Sequence, residues 1–242
     1  MDATLYSLKV SHPSKAALGM LRHKEIEPKV VQLPPGIHPV MVRGLGFGAG
    51  TVPALKLDGR RIQGSLDIAR ALEDSRPDPP LYPEDPDRRR RVEEAERWGE
   101  AEYQPTPRRI FRWVTTRRSD ARRWLMEVTG MPAPGVMGAA SWPLAVLFAR
   151  VDGIGEEEAR ADFAAIPARL DHVDALIADG TLDGEQLNAA DYQIGTTTRV
   201  LLGLPELTER IDSRPAGAHA RRVLPEHPGP VPPGIPEAWL GA

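Results

Sequence analysis

The sequence predicts an α/β domain followed by an all-helical one, and three observations carry the prediction. Strand-like and helix-like apolar patterns alternate over roughly the first 75 residues. The stretch Arg76–Pro86 then packs five prolines into a segment that cannot continue a helix. Beyond it only helical spacing recurs, with no convincing strand.

The elements follow in order. Thr4 to Val10 is a short apolar strand, and Lys15 to Lys24 carries Ala16, Ala17, Met20 and Leu21 at helical spacing. Lys29 to Leu33 is a second strand, followed by a glycine-rich loop over Gly44 to Gly50. No Gly-Lys-Ser/Thr follows those glycines and no helix starts there, which argues against a phosphate loop. Pro53 opens a third strand, Asp58-Gly59 turns the chain back into a fourth, and Ser65 starts the helix Leu66 to Glu73. This β-α-β-(loop)-β-β-α order is that of a thioredoxin-like half. Residues 1–76 form this domain, 77–87 a stiff linker and 88–242 a helix bundle. Its candidate helices are Arg88–Tyr103, Arg108–Val128, Glu156–Asp179 and Ala189–Leu202. The proline-rich tail from Val223, with Trp239 near its end, wraps the surface in extended form or stays disordered.

Composition narrows the function. A 242-residue chain that is 41% hydrophobic can bury a sizeable core. A net charge of -3 predicts attraction to neither nucleic acid nor membrane. With no cysteine, disulfides, thiolate zinc sites and cysteine nucleophiles are excluded. The N-terminus lacks the pattern of a signal peptide, and no apolar run approaches the ~20 residues of a membrane span, so a cytoplasmic location is expected. No metal site is expected.

Three constellations could carry chemistry. Ser11-His12-Pro13-Ser14 precedes the first helix, where a serine caps the helix or donates to a bound thiol and so lowers its pKa. His12 is expected as a solvated imidazole at the mouth. A cis peptide at Pro53 would turn the backbone of Val52 outward to pair with an extended peptide, while Ser65 offers a hydroxyl beside a helix N-terminus suited to a carboxylate. In the helical half, Asn188 and Asp191 read as a capping box closed by Leu187 and Tyr192. The arginines from Arg108 to Arg123 follow Glu93, Glu94, Glu96, Glu100 and Glu102, and read first as a solvated helix pair exchanging salt bridges. A narrower reading places Arg108 or Arg112 in the cleft between the halves, facing an anionic substrate. Trp98, Tyr103 and Trp142 read as core, or as the wall of an apolar pocket.

Together the Ser-x-Pro-Ser, Thr-Val-Pro-Ala-Leu, Asp-Gly, Ser-x-x-Ile, Leu-Tyr-Pro-x-Asp-Pro and Asn-Ala-Ala-Asp segments resemble the cytosolic glutathione S-transferase superfamily over most of the chain. Within it the chain is similar to the serine-type delta and theta classes. The resemblance implies Ser11 as the residue that stabilises the thiolate, with Tyr6 as runner-up and Ser14 as a further alternative. It implies a thiol site at Val52, Pro53, Gly64, Ser65 and His38, while the expected electrophile pocket at Tyr103, Arg108 and Arg112 comes from the residues themselves and not from the resemblance. It also implies glutathione or another low-molecular-weight thiol as cofactor, a small-molecule electrophile and a homodimer. Two positions depart from the family: Gly64 stands where Glu or Gln is usual, and Gly50 where a polar residue is common. Each departure removes a polar contact worth about 1 to 3 kcal/mol. A non-catalytic binding protein, or a thiol-dependent isomerase or peroxidase, are the alternative functions on this fold. Cysteine-based thiol transfer is excluded.

Overall fold

The protein is described by a computed structural model over residues 1–227 and 229–240. The chain runs β1 (Ala3–Ser7), α1 (His12–His23), β2 (Lys29–Gln32), α2 (His38–Gly44), β3 (Ala54–Leu57), β4 (Arg60–Gln63) and α3 (Ser65–Ser75). The sheet order is β2-β1-β3-β4, with β1 parallel to β2 and antiparallel to β3. The β3–β4 hairpin turns on Asp58 and Gly59, both at positive φ, as a two-residue turn matched to strand twist requires. Period-two alternation sends Ala3, Leu5, Leu55 and Leu57 into the main core with Ala16, Ala17, Met20, Leu21, Ile68 and Leu72 of α1 and α3. A second cluster, of Leu33, Val42, Phe47 and Ala54, covers the other face. The expected loop before β3 therefore holds a short helix, α2, whose Val42 and the following Phe47 pin it to the sheet.

The linker is clamped. The buried Lys24 pairs with Glu73 and donates to the Pro77 carbonyl, and Glu73 also accepts from the Leu81 amide. His23 bridges the Pro80 carbonyl and the Tyr192 hydroxyl, and the Ala189 amide donates to Leu81.

The second half contains α4 (Pro86–Trp98), a π-helical turn (Gly99–Tyr103), α5 (Pro105–Arg117), α6 (Ser119–Val128), α7 (Pro134–Ala140), α8 (Trp142–Val151), α9 (Glu156–Ala164), α10 (Ile166–Ala178), α11 (Ala189–Leu201), α12 (Pro205–Asp212), α13 (Pro215–Val223) and α14 (Glu237–Leu240). No strand occurs there among the described residues. Three expected helices are broken. Pro105 has no amide to donate, and the chain passes it with an i→i−5 bond from Gln104 to Gly99. Arg118 is extended and separates α5 from α6. Pro167 interrupts the ladder between α9 and α10. Five helices are absent from the sequence reading, α7, α8, α12, α13 and α14, and the first four have proline in the first turn, where the missing donor costs nothing.

Helix α11 is the central one. Asn188 accepts from the Ala190 and Asp191 amides, and Asp191 accepts from the Asn188 amide, giving the expected capping box. The buried Asp191 carboxylate also accepts from the Asp183 amide and meets His219 at 2.8 Å. The tail is docked, and ends in the short helix α14 rather than in the extended form expected throughout: Val231, Ile235 and Trp239 are buried, and the Trp239 ring lies 4.7 Å from that of Trp113. Pro228, Gly241 and Ala242 lie outside the described residues. Among those described, no single helix is long and apolar enough to cross a membrane.

Candidate active site

The site is built where α1, the β3 entry and α3 begin on one side of the cleft. Ser11 caps α1: its oxygen accepts from the Ser14 amide (3.3 Å) and the Ser14 hydroxyl (3.0 Å). With both lone pairs engaged, its own proton is left to donate outward, at the positive end of the helix dipole. Ser11 is half-buried and reachable, whereas Ser14 is 1% exposed. Tyr6 is also half-buried, packed edge-on against Phe47. His12 is not the solvated imidazole expected. It is 6% exposed, bonds through Nδ1 to the Thr197 hydroxyl of α11, and burial, with Arg108 nearby, lowers its pKa to about 3. It is a neutral tie between the halves.

The Val52–Pro53 peptide is cis. Among the described residues, neither the amide nor the carbonyl of Val52 has a hydrogen-bond partner. The Pro53 carbonyl accepts from the Gly64 amide at 3.0 Å, locking the rail to the start of α3. Gly64 caps α3 with φ +92 and offers no side-chain acceptor, so the first-turn amides of α3 are left for a ligand. Ser65 is 2% exposed, and its hydroxyl accepts from Gln104 Nε2 at 3.4 Å. Gln104 belongs to the helical half and was not singled out in the sequence, because nothing local marks a residue that crosses the cleft. Gln63, just before Gly64, is also engaged: its amide bonds the Ala49 amide and carbonyl and the Thr51 carbonyl at 2.7–2.9 Å. Gly50 is required by packing, since a Cβ there would sit 2.7 Å from Pro39 Cβ and 3.0 Å from its Cα.

His38 opens α2, half-buried, with Nδ1 inaccessible and without a partner among the described residues. Burial, then the Arg112 charge, lowers its pKa to about 4. Arg112 pairs with Asp152 just beyond α8 and lies over the Phe148 ring, and burial followed by Arg108 lowers its pKa to about 10. Arg108 is exposed. Tyr103 does not line a pocket. It is fully buried, stacked on Trp98 and bonded to the Thr198 hydroxyl at 2.9 Å, so it is core. Trp142 is half exposed and donates to the Thr116 carbonyl, remote from that stack. The remaining arginines pair with Asp120, Glu127, Glu156 and Asp162 rather than with the preceding glutamates, and Arg122 is buried on the carbonyls of Thr115, Arg118 and Gly138.

A cleft of about 430 Å³ between the linker and the start of α11 contains none of these residues. Among the described residues no group of three or more His, Asp or Glu side chains is placed to hold a metal ion.

Residues 5–80 match the family model of the glutathione S-transferase N-terminal domain. The chain has the glutathione S-transferase fold. Solved structures similar to it include the β-etherase LigF from Sphingobium sp. strain SYK-6, at 20% identity and TM-score 0.64, over 92% of this chain and 99% of that one. A glutathione S-transferase from Rhodospirillum rubrum F11 is similar at 19% identity and TM-score 0.55, over 98% of both chains. Glutathione transferase F2 from Populus trichocarpa follows at 14% identity and TM-score 0.62, over 93% and 94%. No curated protein sequence matches the chain. Within the glutathione S-transferase fold, the rail at Val52 and the open start of α3 lie in the matched N-terminal domain.

Proposed function

We propose that this protein is a transferase that joins the sulfur of glutathione, or of another low-molecular-weight thiol, to an electrophilic small molecule. Residues 1–76 form its thiol half, 77–87 the linker and 88–242 the electrophile half. The observation that carries this reading is the Ser11 hydroxyl, filled on its acceptor side and free to donate, at the mouth of a site with an unpaired peptide rail. The thiol supplies the nucleophilic sulfur. Val52 pairs with the backbone of the bound peptide, the first turn of α3 and Ser65 receive its carboxylate, and His38 faces its other end. Ser11 donates to the sulfur, which favours thiolate over thiol and releases the proton to solvent. A carbon–sulfur bond then forms as the leaving group departs with its electron pair, and positioning of the two reactants supplies much of the rate. Following the same resemblance, the working unit is a homodimer through both halves. A purely monomeric mass by light scattering would refute that.

Conjugation assays with several electrophiles and thiols, on wild type and Ser11→Ala, test the reading. Turnover that falls in Ser11→Ala is expected. Absence of turnover with every thiol sinks the transferase, and turnover untouched by the substitution sinks the role of Ser11.

A further inference from the structure

One stripe of α5 and its N-cap meets the thiol half. Gln104, Arg108 and Arg112 recur every four residues, so they share a face of that helix. The first member donates to Ser65. The charge of the second reaches His12, next to Ser11, and that of the third reaches His38. The stripe therefore starts at Ser65 and carries its charges toward His12 and His38.

Its charges are unequal. Arg112 is neutralised by Asp152, and Arg109, off the stripe, by Asp162. Arg108 has neither an ion pair nor a hydrogen bond among the described residues. The groups around it do not compensate: burial disfavours the charged form of His12, Arg109 is a like charge, and Arg112 is already paired. An apolar wall begins one turn further along the stripe, where Phe148 lies under Arg112 and Leu144 packs against Gly36 so closely that a Cβ there would meet it at 2.5 Å. An accessible, uncompensated guanidinium one turn from an apolar wall matches one ligand chemistry, an apolar molecule bearing a carboxylate.

We propose that Arg108 recognises a carboxylate on the electrophile, and that the second substrate of this protein is an apolar carboxylic acid. This inference rests on the thiol-site reading, whose second substrate it names. The test uses the full chain and a matched pair of probes, 4-chloro-3-nitrobenzoate and its methyl ester. Their binding is measured by calorimetry without any thiol, and their conjugation with glutathione is measured separately. Wild type binds the acid about tenfold more tightly than the ester, Arg108→Gln brings the ratio to about one, and Arg108→Lys retains part of it. Equal binding of acid and ester by wild type, or a ratio unchanged in Arg108→Gln, overturns the proposal. So does a conjugation defect confined to the KM for glutathione, because Arg108 would then hold a carboxylate of the thiol. Binding is read without thiol, so failure of conjugation alone counts against the transferase and leaves the acid–ester comparison decisive.

Discussion

Glu96 sits fully buried at the joint between the halves, and replacing it with glutamine should change how stability depends on pH. Its Oε1 accepts from the Tyr82 hydroxyl (3.1 Å) and the Gln193 amide (2.6 Å), while Arg70 of α3 reaches Oε2 at 3.5 Å. Burial outweighs these partners and pushes the carboxyl up from 4.5 to about 7. The folded protein thus holds this proton more tightly than the unfolded chain does. The stability it contributes is full below pH 4.5 and is lost as the pH rises through 7. At about 1.4 kcal/mol per pH unit, the rise amounts to about 3 kcal/mol. Glu96→Gln keeps the shape and removes the titration. Urea unfolding of both proteins at intervals from pH 4.5 to 8 isolates this group, because other titrations cancel in the difference. The variant should gain on wild type steadily with pH, by about 3 kcal/mol in all. A flat difference would mean that Glu96 titrates at its ordinary value. A variant that loses ground with pH would mean that Arg70 outweighs burial. Either result refutes the reasoning.

Ser11→Ala should lower kcat/KM about 10- to 100-fold, the worth of one hydrogen bond to a thiolate, and move the alkaline-rising limb of its pH profile upward. The same change removes the cap of α1, so thermal unfolding should report a separate loss of about 1 kcal/mol. Gly50→Ala should destabilise by about 1 to 3 kcal/mol in denaturant unfolding, because its methyl meets the Pro39 backbone; a neutral effect would show that α2 moves aside freely. Trp239→Ala should cost about 3 to 5 kcal/mol by the same measurement, since the ring is 5% exposed against Trp113 and Phe163; a cost below 1 kcal/mol would show that the tail is not part of the core.

The architecture was readable where a pattern is local. Alternation in β1, the Asp58-Gly59 turn and the Asn188–Asp191 cap each declare themselves within a few residues. Boundaries failed where proline has two meanings: Pro105, Pro134, Pro143, Pro205 and Pro215 start helices, whereas Pro167 interrupts a longer one. Side-chain burial was the least readable. His12 and Tyr103 have no local mark of their partners, Thr197 and Thr198, which arrive from about 185 and 95 residues away. Gln104 escaped notice for the same reason. The two glycines at the site gain an explanation only in three dimensions: Gly50 has no room for a side chain, and Gly64 adopts a backbone that side chains rarely take.

The docking of Trp239 on Trp113 has a consequence for the cleft. Trp113 belongs to α5, the helix whose other face carries Gln104, Arg108 and Arg112. Helix α14 therefore acts as a backstop for the helix that, in the proposed function, meets the second reactant. If the proposed transferase reading holds, exchanging this tail for that of a relative is expected to shift α5 and with it the acceptor preference, without altering any of Gln104, Arg108 and Arg112.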